Sequence, residues 1–246
     1  MPVVTDQALC IRQWPWSETS QTALLLTHEH GLLRVLAKGS RRDKSPFSGG
    51  IEALTTGEAE LIIKPTTGLT QLIAWDLREP LAHIRTDWLR FTAATYVAEV
   101  LGAALSEGDP HPSLHLDACR ALSASDLPPA SLVLFLQWAT LNDTGHSPDL
   151  TPPDRAGDVV GFDAAAGRLV SDPGPAGPDA VWRARQSTIA AVHDLAAGAM
   201  PTDASAASRA IALLDRYLAW VLGRQFSSSP SMLRAFGPAA GEHPGT

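Results

Sequence analysis

The sequence predicts an α+β fold, in which an N-terminal five-stranded β-barrel is followed by an all-helical C-terminal domain. From residue 7 to residue 75, short apolar runs alternate with turn residues, and no long helical repeat interrupts them. After Pro80, the apolar residues recur with a period of about 3.6, which is typical of helices, instead of the period of 2 that is typical of strands. We therefore expect a barrel domain over residues 1–79 and a helical domain over residues 80–236.

The barrel is expected to contain five short strands, at residues 8–14, 22–27, 32–38, 58–64 and 69–75. Turns at residues 28–31 and 65–68 join two of the strand pairs into hairpins. Short strands joined by turns, without a crossover helix, favour an OB-type barrel. An SH3-like barrel is the competing interpretation.

Apolar stripes predict helices at residues 81–105, at residues 113–122 and from the segment after Asp126 to about residue 141. Residues 142–178 are rich in Pro, Gly and Asp and are expected to form an irregular insertion. Two more helices are expected around residues 189–196 and 211–222, the second ending at Gly223. The last ten residues, 237–246, are expected to be disordered.

Composition limits the class of protein. The 246 residues carry a net charge of -7, and no apolar run approaches the 18 or so residues of a membrane span. The N-terminus lacks the basic region of a signal peptide, so we expect a cytoplasmic protein with no membrane partner. Because the only cysteines are Cys10 and Cys119, a disulfide scaffold and a zinc site made of cysteines alone are excluded.

A dense basic cluster begins in the third expected strand. Five of the chain's 19 basic residues lie within residues 34–44, namely Arg34, Lys38, Arg41, Arg42 and Lys44. Gly39 breaks the strand and lets the backbone approach an anion, so the cluster is a candidate phosphate cradle. A solvated charged loop that protects a strand edge is the alternative. Residues 1–80 carry 8 basic and 9 acidic residues, against 11 and 17 in the remainder, so the acidic excess is expected to lie away from the cluster.

Two aromatic residues near this cluster are candidates for stacking on nucleic-acid bases. Trp16 belongs to the loop after the first strand, and Phe47 follows the basic residues directly. On an OB-type barrel the loop after the first strand belongs to the ligand-binding face, where aromatic rings stack on bases. Trp14, in contrast, is expected to cap the barrel core.

A second class of function would use a metal ion. His111 and His115 are four residues apart, a spacing that allows chelation from one helix, and Asp117 and Cys119 lie close by in the sequence. A metal-dependent hydrolase is therefore the alternative function, although the prolines around His111 weaken the helical chelate. The His-Glu-His sequence at residues 28–30 occupies a turn, where polar residues are expected in any case. A Walker A loop, a dinucleotide fingerprint and a G-x-S-x-G motif are all missing from the sequence.

An ordered set of segments carries a resemblance to a known family. The segments are residues 11–12, 17–20, 26–31, 35–42 and 44–45, followed by 96–99, 214–218, 222–223 and 228–233. They include the motif A-K-G-x-R-R-x-K-S at residues 37–45. Together they resemble RecO, the bacterial recombination mediator, over nearly the whole chain and least between residues 142 and 178.

The resemblance implies a DNA repair protein that is not an enzyme and uses no cofactor, located in the cytoplasm near the nucleoid. Such proteins bind single- and double-stranded DNA and anneal complementary strands. With RecR they help RecA load onto strands coated by single-stranded DNA-binding protein. The implied DNA contacts are Lys38, Gly39, Arg41, Arg42 and Lys44, with Arg34 next. A protein-interaction scaffold that has lost DNA binding is a third possibility, because the total charge is acidic.

The resemblance also implies a site for the C-terminal tail of single-stranded DNA-binding protein. That tail is acidic with an apolar end, so a hydrophobic groove rimmed by arginines would suit it. The sequence offers two candidate groups and does not choose between them. They are Arg183 and Arg185 beside Trp182, and Arg216 with Arg224.

Many RecO proteins carry two CxxC pairs that bind zinc, and this sequence departs from that pattern. Phe162 and Gly167 can be matched to the family, but the positions that would hold the pairs, at residues 151–154 and 171–174, contain no cysteine. No bound metal is therefore expected.

Overall fold

The computed structural model describes residues 2–42, 44–47, 51–63, 69–154, 157–175 and 177–238, and five of its strands close into a barrel. They are β1 (Val4–Pro15), β2 (Gln21–Thr27), β3 (Gly31–Ala37), β4 (Thr55–Ile62) and β5 (Thr70–Glu79). β1 pairs antiparallel with β2 and β4, while a parallel pairing of β3 with β5 completes the order β1-β2-β3-β5-β4. The predicted five-stranded OB-type barrel is confirmed.

The inside of the barrel mixes small and large apolar side chains. Gly57 makes room for Trp75, since a Cβ atom at Gly57 would lie 2.6 Å from Trp75 Cζ2. The buried cluster consists of Ala8, Cys10, Ala23, Leu25, Leu33, Val35, Ala37, Phe47, Ile51, Ala59, Leu61, Leu72 and Trp75.

β1 and β2 are buried on both faces. Leu9 and Leu26 alternate with the inward-facing residues of these strands, yet both are fully buried. The cover is provided by α2 (Trp88–Ala104) and α3 (Pro112–Ser123), which pack on the outside of β1 and β2. A Cβ atom at Gly102 of α2 would lie 3.2 Å from Leu24 Cδ2, so glycine allows the close approach. Burial on both sides explains why β1 and β2 contain consecutive apolar residues.

The chain divides into two compact units, Met1–Asp126 and Leu127–Thr246. The boundary expected at residue 80 therefore lies inside the first unit. α2 and α3 belong with the barrel because they pack on β1 and β2, and α1 packs on α2.

The single helix expected over residues 81–105 is two helices, α1 (Ala82–Thr86) and α2. Asp87 separates them with an extended backbone, and its Oδ1 accepts hydrogen bonds from the backbone N–H groups of Leu89 and Arg90 at 2.8 and 3.2 Å. Asp87 thus ends α1 and caps the N-terminus of α2.

The second unit contains four helices and a small sheet in the described part of the chain. The helices are α4 (Pro129–Asp143), α5 (Gln186–Ala196), α6 (Ala204–Val221) and α7 (Ser229–Phe236), and α6 packs against α4, α5 and α7. The helices expected after the barrel are thus present. The three-stranded sheet has the order β7-β6-β8 and consists of β6 (Val159–Asp163), β7 (Arg168–Val170) and β8 (Val181–Arg185). The expectation of an irregular segment at residues 142–178 is corrected, because β6 and β7 lie within it.

Some expected features lie outside the described residues. They are the turn at residues 65–68, Lys64 at the end of the fourth expected strand, and residues 239–246 of the C-terminal tail. Within the described ranges, no helix combines the length and the apolar character needed to cross a membrane.

Candidate nucleic-acid interface

The basic cluster forms a tight loop directly after β3, here called the basic loop (residues 38–45). Gly39 adopts a positive φ of 71°, a conformation that glycine adopts without strain. The backbone N–H of Arg42 then donates to the carbonyl of Gly39, and that of Ser45 to the carbonyl of Arg42, both at 3.1 Å. Two successive turns therefore hold the basic side chains within a short stretch of chain.

A buried polar network anchors the base of the loop. Ser40 is fully buried, and its Oγ donates to Gln21 Oε1 at 3.0 Å. The Nε2 of Gln21 donates to the carbonyl of Ile51 at 3.0 Å, which ties the start of β2 to the chain beyond the loop. Ser40 is thus held in the interior, whereas Lys38, Arg41 and Arg42 are exposed.

The turn between β1 and β2 lies beside the basic loop. The backbone N–H of Arg41 donates to the carbonyl of Thr19 at 3.1 Å, and that of Gly39 donates to Ser20 Oγ at 3.2 Å. The same turn carries Trp16, whose side chain is 60% exposed. The structure therefore brings an open aromatic ring and the basic residues to neighbouring loops.

Four cations of the basic loop are exposed and have no carboxylate partner among the described residues. Lys38, Arg41, Arg42 and Lys44 are exposed, and none has a carboxylate oxygen of another described residue within 4.0 Å. Arg34 differs, because its Nε lies 3.3 Å from Glu107 Oε1. Both partners are more than half exposed, so the pair is weak, but it makes Arg34 the least available cation of the five.

The structure corrects the expectation for Phe47. The expectation that it stacks on bases requires an exposed ring, but Phe47 is 2% exposed and belongs to the barrel core. The chain turns inward after the basic loop, where the backbone N–H of Trp75 donates to the carbonyl of Pro46 at 2.9 Å. Phe47 therefore supports the loop from below and does not offer a ring face to a ligand.

Arg12 is a further cation that reasoning from the sequence did not select. Its guanidinium lies 5.0 Å from the ring centroid of Trp14, near the end of β1 that leads to Trp16. Both residues are on one side of the strand, as their spacing of two requires. Trp14 is half-buried and does not belong to the barrel core cluster.

In the second unit, only one of the two candidate groups of arginines lines a pocket. A cavity of about 380 Å³, here called the Trp182 pocket, is lined by Trp182, Arg216, Trp220 and Arg224, among others. The guanidinium of Arg216 lies 4.1 Å from the ring centroid of Trp182. Trp220, on the next part of α6, meets the ring of Trp182 edge-on at 6.1 Å and is 46% exposed. Aromatic surface and cationic groups thus converge on one pocket.

Arg183 does not reach this pocket. Along β8, Trp182 and Ala184 are buried, whereas Arg183 and Arg185 alternate with them on the other face. Arg183 instead pairs with Asp172, with Nε–Oδ1 and Nη2–Oδ2 distances of 2.8 and 3.0 Å. These hydrogen bonds hold the pKa of the Asp172 carboxyl below its usual value.

The His-Glu-His turn at residues 28–30 is held by Asp6. This carboxylate is buried, and its Oδ2 accepts from the backbone N–H of Glu29 at 3.0 Å and lies 2.8 Å from His30 Nδ1. The polar residues of this turn are therefore explained by an internal contact between β1 and the β2–β3 connection.

The geometry at His111 and His115 does not favour a hydrolase. His115 is 2% exposed, and its Nε2 lies 3.6 Å from Cys119 Sγ, whereas His111 Nε2 lies 3.6 Å from Asp109 Oδ2. Burial lowers the pKa of His115 to about 4 and raises the pKa of the Cys119 thiol to about 11. Both side chains are therefore neutral near pH 7, as a weak base and an unreactive thiol. Among the described residues, no three His, Cys, Asp or Glu side chains are grouped to hold a metal ion.

Comparison with known proteins identifies the family. The sequence model described as Recombination protein O N terminal matches residues 1–81, and the model described as Recombination protein O C terminal matches residues 85–152. The chain belongs to the RecO family. The first match covers the RecO barrel up to the end of β5, and the second begins in α1 and includes α2, α3 and α4.

A curated relative is the DNA repair protein RecO of Rhodopirellula baltica. The two are 34% identical over 143 residues, which is 57% of this chain and 53% of the relative. The alignment thus spans about half of the relative's length. The resemblance to RecO that the sequence motifs predict is confirmed.

The residues of this RecO chain do not fit the zinc site that the resemblance associates with many members. The positions at 151–154 and 171–174 offer no thiolate, and the carboxylate of Asp172 is engaged by Arg183. Aromatic packing is found in that part of the fold instead. The ring of Phe162 on β6 lies 5.9 Å from that of Trp182 and 4.9 Å from that of Tyr217 on α6.

Proposed function

We propose that this RecO-family chain is a recombination mediator in DNA repair that binds single- and double-stranded DNA through the basic loop. The observation that carries the proposal is the exposure of Lys38, Arg41, Arg42 and Lys44 without carboxylate partners among the described residues. Each phosphate that such a cation neutralises releases counterions from the DNA. With about four contacts, log affinity for single strands should fall with log salt at a slope of about −3.

Single strands have an additional contact with the barrel. The exposed ring of Trp16, on the loop beside Arg41, can stack on an unpaired base while the cations follow the backbone. Cations that reduce the repulsion between two strands while leaving most bases open also favour annealing of complementary strands. We propose no catalytic step, and the assistance of RecA loading together with RecR belongs to the same proposal.

The Trp182 pocket is proposed as the site for the C-terminal tail of single-stranded DNA-binding protein. An acidic tail with an apolar end needs a hydrophobic surface with cations at its rim. Trp182 and Trp220 offer the surface, and Arg216 and Arg224 offer the charges. Arg183 is less suited because Asp172 already occupies its guanidinium. Of the two groups suggested by the sequence, the geometry thus favours Arg216 and Arg224.

The DNA-binding proposal is tested by changing the cations of the loop. The double variant Arg41→Ala/Arg42→Ala should bind all single-stranded sequences more weakly and should flatten the salt slope by about 1 to 2 units. Fluorescence anisotropy of a labelled oligonucleotide over a range of salt concentrations measures both quantities. Arg78→Ala is the matched control, since this exposed barrel arginine pairs with Asp76 at 3.1 Å and should leave the slope unchanged. An unchanged slope in the double variant would locate the DNA surface elsewhere.

The partner proposal is tested with a synthetic acidic peptide that ends in an apolar residue. Arg216→Ala should weaken binding of the peptide by about tenfold or more. The variant loses both the charged hydrogen bonds to the peptide and the stacking of the guanidinium on Trp182. Titration of the peptide by calorimetry measures the change. Arg183→Ala should bind as the unmodified chain does, and a larger loss in that variant would move the site to the opposite face of β8.

A further inference from the structure

The feature that carries a further inference is a buried arginine in the second unit. Arg209 of α6 is 6% exposed, and its guanidinium donates to three hydroxyl groups. The acceptors are Thr188 Oγ1 at 3.1 Å from Nε, Ser205 Oγ at 2.5 Å from Nη1 and Ser187 Oγ at 3.1 Å from Nη2. These hydroxyls come from the first turns of α5 and α6, so the guanidinium lies between two helix N-termini.

Arg209 forms no direct ion pair within the part of the chain that the structure describes. No carboxylate oxygen of a described residue lies within 4.0 Å of its guanidinium. Arginine keeps its proton in proteins, and burying a cation among neutral groups is costly unless an anion accompanies it. The cluster is therefore a place where an added anion would be stabilised.

The hydroxyl groups connect the buried guanidinium of Arg209 to the protein surface, where a ligand could bind. Each hydroxyl accepts a hydrogen bond from Arg209 and retains its own O–H, which can donate to another group. Thr188 is fully buried, whereas Ser187 and Ser205 are exposed. Two donors polarised by one cation thus reach the surface beside each other.

The two helix ends differ in what they offer an anion. Asp203 caps α6, with its Oδ1 accepting from the backbone N–H groups of Ser205 and Ala206 at 2.9 and 3.2 Å. No side chain caps the N-terminus of α5, where the backbone N–H of Gln186 donates to the carbonyl of Asp158 at 2.9 Å, so no carboxylate opposes an anion at that end. An anion should therefore lie towards Ser187 and away from the carboxylate of Asp203.

We propose that Ser187, Ser205 and Arg209 form a binding site for a tetrahedral oxyanion of the phosphate class. Its oxygens accept from the two exposed hydroxyls and lie at the start of α5, and its charge offsets that of Arg209. The ligand is free inorganic phosphate or a phosphate group of a nucleic acid, which share this chemistry. The site is separate from the basic loop and does not depend on the function proposed for that loop.

The test is a calorimetric titration of the full chain with inorganic phosphate at constant ionic strength. It is made in the Arg41→Ala/Arg42→Ala background, which removes two of the four exposed cations of the basic loop and so lowers the contribution of that loop. One phosphate should bind, and Ser187→Ala combined with Ser205→Ala should weaken it by about tenfold or more. The exposed Ser171→Ala is the control and should bind phosphate normally. Absence of binding, or equal binding with and without the two serines, overturns the proposal.

A purely structural role for Arg209, as a tie between α5 and α6, gives a different result. The serine variants would then lower the unfolding temperature equally in chloride and in phosphate of the same ionic strength. A ligand site instead raises the unfolding temperature in phosphate relative to chloride, by mass action, and only while the serines are present. A phosphate effect that persists in the serine variants overturns the proposal even if those variants are less stable.

Competition identifies the source of the phosphate once the site is established. Short single strands with and without a 5′-phosphate are added to the phosphate titration in the same background. Displacement by both assigns the site to the nucleic-acid backbone, and displacement by the phosphorylated strand alone assigns it to a strand end. Unchanged phosphate binding assigns it to the free ion.

Discussion

Among single residues, Trp16 and Phe47 differ most clearly in what they can do for DNA binding. Both are close to the basic loop in sequence, but Trp16 is 60% exposed and Phe47 is 2% exposed. A ring stacks on a base only if one of its faces is open. The ring of Trp16 is therefore open to a ligand, whereas Phe47 fills the barrel below the loop.

This difference predicts opposite behaviour of two alanine variants. Trp16→Ala should weaken single-strand binding by about 1–3 kcal/mol and leave the free energy of unfolding unchanged. Phe47→Ala should lower that free energy by about 3–5 kcal/mol, because it opens a cavity in the core. Oligonucleotide titration and urea unfolding of both variants separate the effects. A stable Phe47→Ala protein would contradict the burial of this ring.

The exposure of the basic residues in the candidate site could be predicted from the sequence, but the direction of every side chain could not. Arg41 and Arg42 were predictable, because charged residues after a strand-breaking glycine remain in solvent. Phe47 was not, since one apolar residue in a polar loop has no periodicity to assign it to the core. Likewise, the neighbours Trp182 and Arg183 were grouped by sequence distance, although the alternation of β8 puts them on opposite faces.

Among the elements, the β2–β3 hairpin shows how a turn is tied to its surroundings. Gly31 follows the turn with a φ of 69°, and a Cβ atom there would lie 2.0 Å from the backbone oxygen of Asp109. Gly108 also has a positive φ, of 78°, but nothing lies within 4 Å of its Cβ position. Its N–H donates to the carbonyl of Leu32 at 2.9 Å. The connection after α2 therefore packs directly on the hairpin.

The two glycines give a matched pair of variants. Gly108→Ala should cost about 1–2 kcal/mol of unfolding free energy, from backbone strain alone. Gly31→Ala should cost about 3–5 kcal/mol, because the same strain is joined by a clash with the backbone of residue 109. Urea unfolding measures both, and equal losses would contradict the close packing at Gly31.

Elements with a long or clear repeat were predictable, and short ones were not. The five barrel strands and the helices of the second unit follow from turn residues and apolar stripes. β6, β7 and β8 are only three to five residues long, and β8 pairs with β6 although β7 lies between them in the sequence. The break at Asp87 was missed because the apolar stripe continues through it, and only the side-chain cap reveals it.

For the molecule as a whole, charge is distributed differently from the expectation. The 8 basic and 9 acidic residues of positions 1–80 are joined in the first unit by 3 basic and 6 acidic residues of positions 81–126. The barrel unit is therefore acidic in total, and Glu107 even contacts Arg34. The DNA binding that we propose would thus depend on the local charge of the basic loop, since charges beyond roughly 10 Å are screened at physiological salt.

The division into units predicts which fragments fold. A fragment of residues 1–126 should unfold cooperatively and bind single strands with the salt slope of the full chain. A fragment of residues 1–79 ends with the barrel but exposes the outer apolar faces of β1 and β2, so it should aggregate or remain partly folded. Circular dichroism, thermal unfolding and the anisotropy assay compare the two fragments. Cooperative unfolding of the shorter one would show that α2 and α3 are dispensable to the barrel.

The cover that α2 and α3 place over the barrel also has a consequence during synthesis. When β5 emerges from the ribosome, every strand of the barrel is available, but α3, which ends at Ser123, has not yet emerged. At a synthesis rate of about 5–20 residues per second, the nascent chain exposes this apolar surface for some seconds. A holdase chaperone would bind the growing polypeptide during this interval.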